Sequence, residues 1–379
     1  MSDSDPDSGP SPASGPSPAS GPGQPGAALA RQHDNNFTFL RFVAASMVIV
    51  AHAHDLHDIP SIQDPLRWLT GKSMGWAGVS IFFVMSGYLI MTSLNRSGNL
   101  LRFARARALR IFPGLATCMI LVVVLAGLFL TTLSASAFFS DPGTLKYLAG
   151  NISLLSIQHH LPGVFEHNPT PRAVNGSIWT LPFEVGCYIM AATLAGTGLL
   201  RAGRMRVISF AVLALGAIGF VVVQPLIGHL GIVARIAVFH ELAICFLLGM
   251  AYACFGPLLA LRWWYAAIAA AVTWLLAATP FYTMALSVTV ALLVMWLAFV
   301  PSRLLRRLSD LPDYSYGIYI YAFPIQQVLM QFAPGLTPWQ HSLVAFLLVL
   351  IPASLSWHFV EKPALKFKDR RKLVVAVAA

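Results

Sequence analysis

The sequence predicts an all-α, polytopic transmembrane bundle of about ten spans with both termini cytosolic. Of 379 residues, 57% are hydrophobic and only 11% charged. Long apolar runs recur along the chain, each near the roughly 20 residues a helix needs to cross a bilayer. Basic residues gather in alternate connecting segments, as orientation signals do. No soluble domain could hide that much apolar surface, so one membrane domain, residues 35–363, is expected.

Residues 1–34 form a tail rich in Ser, Pro and Gly that repeats the hexad SGPSPA. Such a composition cannot bury a core, so a disordered cytosolic tail is expected. No basic n-region leads into a short apolar stretch, so no cleaved signal peptide is expected. The predicted spans are about 37–55, 75–94, 112–133, 178–199, 207–227, 236–255, 264–281, 283–300, 315–333 and 341–359. With the N-terminus inside, 19 of the 25 basic residues fall on the cytosolic side. Five fall outside (Arg67, Lys72, Lys146, Arg172 and Arg235), and Arg41 lies within a span. Residues 364–379 form a basic cytosolic C-terminal tail.

The net charge of +10 does not indicate a nucleic-acid partner, because no basic patch sits on a soluble module. The expected surroundings are the lipid bilayer. Cys118, Cys187, Cys245 and Cys254 all lie in apolar runs, so no disulfide framework follows.

An ionisable group in the hydrocarbon costs roughly 2.5–3.5 kcal/mol on insertion scales, so each needs a reason. Arg41 and His52 lie eleven residues apart on the first span. That offset puts them within roughly 20° of one face, about 16 Å apart along the axis. Ala45 and Val48 sit between them, with no charge to interrupt a groove. In the second span the stretch Gly78 to Leu89 carries Phe83, Ser86 and Gly87, whose small residues allow close approach. Arg107 and Arg110 share a helix face and suit a bidentate phosphate clamp. Pro113 fits the first turn of the third span. In the fourth span Thr180, Glu184 and Tyr188 are four apart, which flanks a carboxylate with two hydroxyls. Arg41 is the natural partner for that Glu184.

These elements, in this order, resemble the acyltransferase-3 family of integral membrane acyltransferases over residues 35–365. The matches are Arg41 and His52; Phe82, Phe83, Ser86 and Gly87; Arg107 and Arg110; and Trp179 through Glu184. Near the C-terminus, Tyr314 to Pro324 and Val360-Glu361-Lys362-Pro363 also look like the family. One departure is Ala322, where many relatives have His. The resemblance implies transfer of an acyl group, usually acetyl from acetyl-CoA, to a hydroxyl of a cell-envelope or exported carbohydrate. It implies a multi-pass protein of the bacterial plasma (inner) membrane, with acyl-CoA as donor substrate and no permanently bound cofactor. His52, Arg41 and Glu184 are then the candidate catalytic residues. His52 either deprotonates the acceptor hydroxyl or carries the acyl group itself. Arg107, Arg110, Phe83, Ser86, Gly87, Trp179 and Tyr188 are the candidate substrate-binding residues.

Other features read more plainly. His52, His54, Asp55, His57 and Asp58 cluster like metal ligands, but the helix ends within them and no metal is expected. His240-Glu241 is read as a structural hydrogen-bonded pair for which the sequence offers no partner. The tyrosines at 314, 316, 319 and 321 read as an aromatic belt. The rival function is a secondary transporter coupled through Arg41, Glu184 and Glu241. Transporters commonly show internal repeats, and the two halves of this chain do not correspond.

Overall fold

Capping residues and prolines set the helix ends in the computed structural model. It describes residues 35–369 apart from 60, 98, 228–230 and 257–260. Helix accounts for 78% of the structure and no strand occurs among the described residues, which is the expected all-α class. The expected N-terminal tail, 1–34, and most of the C-terminal one, 370–379, lie outside the described residues.

Helix α1 is Phe37–Leu56. A short helix, α2 (Pro65–Thr70), follows, and then α3 (Met74–Ser97). Asp64 joins these two starts, since its carboxylate accepts from the N–H groups of Leu66, Arg67 and Met74 at 2.9–3.1 Å. Helix α4 is Leu100–Phe129, capped by the Asn99 side chain. Two short helices come next, α5 (Ala135–Ser140) and α6 (Pro142–Ser153). A 3-10 turn, Ser177–Thr180, leads into α7 (Leu181–Gly196). The rest are α8 (Arg204–Ile227), α9 (Gly231–Phe255), α10 (Trp263–Leu275), α11 (Tyr282–Phe299), α12 (Arg303–Ser309), α13 (Ser315–Phe332) and α14 (Pro338–Ser356). A widened turn, Trp357–Glu361, ends in α15 (Lys362–Lys366).

Eight of the described helices are long and apolar enough to cross a membrane. Two expected spans fall short of that measure for separate reasons. Helix α10 stops at Leu275, six residues before the expected end, in turns that precede Pro280; the residue before a proline is biased away from helix. Helix α13 has the length of a span but carries Gln326 and Gln327, both completely buried. A helix surrounded by other helices needs no apolar surface, and these amides bond the backbone at Ile49, Thr170 and Ala173.

Contacts between chain ends fix how the helices run. Asn36 donates to the carbonyls of Leu297, Ala298 and Val300, so α1 begins where α11 ends. At the opposite end, Tyr282 donates to Thr70 O at 2.6 Å, and His57 Nε2 lies 2.8 Å from Leu336 O. The first is the arginine end of the bundle and the second its far end.

Helix α4 differs most from the sequence expectation. It starts twelve residues before the apolar run, so Pro113 lies inside it rather than in a first turn. The polar stretch 100–111 is helical because Asn99 caps it and only Pro113 interrupts it. That extension carries Arg107 and Arg110 on a rigid rod instead of a loop.

Helix α3 packs at backbone distance on two sides. A Cβ at Gly78 would stand 2.5 Å from Ala44 O of α1. One at Gly87 would stand 1.9 Å from Phe246 O, and one at Gly249 of α9 only 2.0 Å from Val84 O. Gly87→Val should therefore force α3 and α9 apart. The expected cost is at least about 1–3 kcal/mol, read as earlier thermal unfolding of the detergent-solubilised protein.

Candidate active site

At the arginine end, α1, α3, α4, α7 and the start of α13 surround a cavity that is partly open to solvent. Seven of the ten sequence-singled residues line it: Arg41, Phe83, Ser86, Arg107, Arg110, Glu184 and Tyr188. They come from α1, α3, α4 and α7, so tertiary packing joins what the sequence holds apart by up to 147 positions (41 to 188).

The ion pairs differ from expectation. Arg41 donates to Asp313 Oδ2 at 2.9 Å, not to Glu184. Arg110 donates to the same oxygen at 2.8 Å and reaches Glu361 at 3.4 Å. Its guanidinium also lies 5.6 Å from the Tyr316 ring centre and 5.9 Å from that of Trp357. The other Asp313 oxygen accepts from the Ser315 hydroxyl and N–H. Burial opposes ionisation of Asp313, but the Arg110 and Arg41 charges outweigh it and hold the carboxyl down at about 2. A depressed carboxyl stabilises the fold fully above its ordinary value of 3.8 and loses that contribution as pH falls through about 2. Asp313→Asn should flatten this acid limb of the stability profile, as measured by unfolding between pH 2 and 5.

Asp313 was not legible as a site residue. It precedes the Tyr314–Pro324 motif, lies outside every predicted span, and only the meeting of α1 and α4 gives it two cations. Glu361 was visible as part of a motif without a role. The structure places it 2% exposed, held by Ser356 and Arg110.

Arg107 and Arg110 both line the cavity but differ in their partners. Arg110 faces two carboxylates, whereas Arg107 makes no ion pair among the described residues. The Arg107 Nε is buried with no hydrogen-bond partner, yet its side chain lines the cavity. A buried guanidinium nitrogen without an acceptor calls for one.

Glu184 accepts from the hydroxyls of Tyr188 and Ser86, the latter at 3.3 Å. Thr180, expected to flank it, instead bonds Tyr319 at 2.6 Å. The reason is local: Thr180 ends a 3-10 turn, so the four-residue spacing does not carry through to α7. Tyr316 and Tyr319 line the cavity, and Tyr319 and Tyr321 are buried, so these side chains belong to the core and not to a surface belt.

Three singled residues stand elsewhere. Gly87 faces the α9 backbone. Trp179 is 39% exposed and packs edge-on against Phe183 at 5.8 Å. His52 does not line the cavity: Ala45 and Val48 are buried, Val48 against Gly78 of α3, and leave no open groove from Arg41. His52 instead meets the Phe323 ring edge-on at 5.0 Å. Phe323 is pinned from behind, since a Cβ at Gly176 would stand 2.5 Å from it. Phe323 lies one helical turn from cavity-lining Tyr319, about 6 Å along α13. His52 Nδ1 is buried without a partner. Ala322, at the position of the family histidine, is buried at 1% exposure.

The metal-like cluster disperses. His54 bonds Val50 O in its own helix, His57 bonds Ala53 O and Leu336 O, and Asp55 pairs with Arg67 at 2.8 Å. Glu241 gains the partners the sequence did not supply, Lys72 and the Trp76 indole N–H, both at 3.2 Å.

The cavity thus gathers an arginine without a carboxylate partner among the described residues and a half-buried carboxylate held by two hydroxyls, while His52 touches Phe323, one helical turn from cavity-lining Tyr319. The chain belongs to the acyltransferase-3 family and is an acyltransferase: the family model, described as an acyltransferase domain, matches residues 34–358. It is 32% identical to an O-acetyl transferase of Shigella phage Sf6 over 345 residues, covering 86% of this chain and 95% of that protein. It is 28% identical to nodulation protein 10 of Rhizobium leguminosarum bv. viciae over 381 residues, covering 91% and 97%. No solved structure matches the chain. The transporter reading finds no support in these relationships.

Proposed function

We propose that this protein is an O-acetyltransferase of a bacterial plasma membrane that moves an acetyl group from cytosolic acetyl-CoA to a carbohydrate hydroxyl. The observation that carries the reading is Arg107, without a carboxylate partner in a cavity whose wall residue Tyr319 lies one helical turn from Phe323, the residue His52 touches. Arg107 would hold a donor phosphate, while Asp313 keeps Arg41 and Arg110 fixed at the cavity wall. The acyl end of the donor would pass Tyr319 and Phe323 toward His52.

His52 then serves the transfer in one of two ways. As a base it takes the acceptor hydroxyl proton while that oxygen attacks the thioester carbonyl, and it returns the proton to the departing CoA thiolate. As a nucleophile it accepts the acyl group, releases CoA thiol, and passes the group to the hydroxyl. Both routes end in one ester and one free thiol. Purified protein given acetyl-labelled acetyl-CoA and envelope glycan should label the glycan, with one CoA thiol released per ester formed. Label in the protein after denaturation without acceptor selects the second route. Glycan that stays unlabelled overturns the reading.

The 19-to-5 distribution of basic residues supports a cytosolic position for the arginine end. In a variant lacking the native cysteines, Asp5→Cys and His160→Cys should react with an impermeant thiol reagent from opposite sides. Reaction from the same side contradicts the orientation.

A further inference from the structure

A second cavity, partly open to solvent, lies toward the far end between α8, α9 and α11. Its polar lining is Gln224, His240, Glu241, Thr283 and Ser287. Glu241, His240 and Ser287 have partners within the protein, whereas Gln224 and the Thr283 hydroxyl have none among the described residues.

Their chemistry is specific about what fits. Glu241 holds Lys72 and the Trp76 N–H, and the Lys72 ammonium lies 5.6 Å from the Trp76 ring centre. The carboxylate is therefore neutralised at the wall while a third of its side chain stays exposed to accept further bonds. His240 Nε2 lies 3.0 Å from Ala217 O, which can only accept, so Nε2 carries the proton and Nδ1 keeps a free lone pair in the neutral ring. Among the described residues, neither the Gln224 amide nor the Thr283 hydroxyl has a hydrogen-bond partner. A wall near zero net charge does not select phosphate or a cation. Unused donors and acceptors beside a carboxylate suit a neutral, hydroxyl-rich ligand.

The place matches that chemistry. Gly75, in the first turn of α3, packs against Ala51, the neighbour of His52 (a Cβ on Gly75 would lie 3.1 Å from the Ala51 methyl). The next residue, Trp76, bonds Glu241. One helical turn thus stands between the His52 stretch and the second cavity.

We propose that this cavity is an acceptor subsite that binds a sugar unit neighbouring the one acylated near His52, so that the acceptor is a glycan chain rather than a single sugar. This rests on the acyl-to-carbohydrate reading above. The test uses full-length protein in detergent, acetyl-CoA, and the envelope glycan of the expressing cells cut either to single sugars or to oligomers of several units. Glu241→Gln should raise KM for the oligomers about tenfold, the loss of one hydrogen bond to a charged group. KM for single sugars and for acetyl-CoA should not change. Gln224→Ala, which leaves the Lys72 pair intact, should act the same way and separates ligand contact from packing. Equal losses on oligomers and single sugars, or no effect on either, overturn the subsite while acyl transfer stands. If the unaltered protein acylates no glycan of either length, the carbohydrate reading itself falls.

Discussion

His52→Ala is expected to reduce acyl transfer by a factor of roughly 10²–10⁴, the usual cost of removing a general acid–base group. Expression and folding should stay intact, because His52 Nδ1 holds no hydrogen bond whose loss would unsettle the helix. His52→Gln keeps polarity without useful basicity and should be equally inactive. His54→Ala is the control, since its ring nitrogen bonds only Val50 O of the same helix and its ring rests on Trp339. His57 is a poorer control, because it also ties α1 to Leu336. Arg41→Ala should impair turnover more than Arg41→Lys, since one cation–carboxylate contact at 2.9 Å can be kept by an ammonium. Near-normal turnover by His52→Ala removes His52 from the chemistry. The measurement is initial-rate transfer from labelled acetyl-CoA by purified variants.

Replacing each cavity arginine should separate binding from folding. Arg107→Gln should weaken acyl-CoA binding about tenfold to a hundredfold, corresponding to about 1.5–3 kcal/mol for a charge-assisted hydrogen bond. Thermal stability should change little, as no carboxylate loses a partner. Arg110→Gln removes the cation from Glu361 and one of two from Asp313. Breaking a buried pair on one side costs about 3–5 kcal/mol. That variant should show early unfolding, with donor affinity changed less than in Arg107→Gln among the molecules that remain folded. Isothermal binding of CoA and thermal unfolding on the same preparations give both readouts. Equal effects of the two substitutions on affinity would restore the joint clamp expected from their spacing.

The contrast between these arginines marks what spacing can reveal. Residues three apart on a helix share a face, so the sequence places Arg107 and Arg110 together. It does not say which will meet a carboxylate, because Asp313 arrives just before α13 and Glu361 in the widened turn after α14, more than 200 residues later. The same limit applies to Glu184. Its hydroxyl partner Tyr188 was legible four residues on, while Ser86 enters from α3. The stripe between Arg41 and His52 read as a groove because periodicity shows which face a residue occupies and not what covers it; Gly78 covers this one.

By itself the sequence determined the all-α class, the positions of most helices, and the motifs that mark an acyltransferase. Those properties follow from composition, from hydropathy runs near the bilayer thickness, and from local order along the chain. Only the tertiary structure decided that α13 lies inside the bundle, that Asp313 joins Arg41 to Arg110, and that Arg107 faces the cavity without a carboxylate partner among the described residues. Ion-pair partners and buried polar groups are settled by which helices touch, and contact between distant helices leaves no periodic trace in the chain.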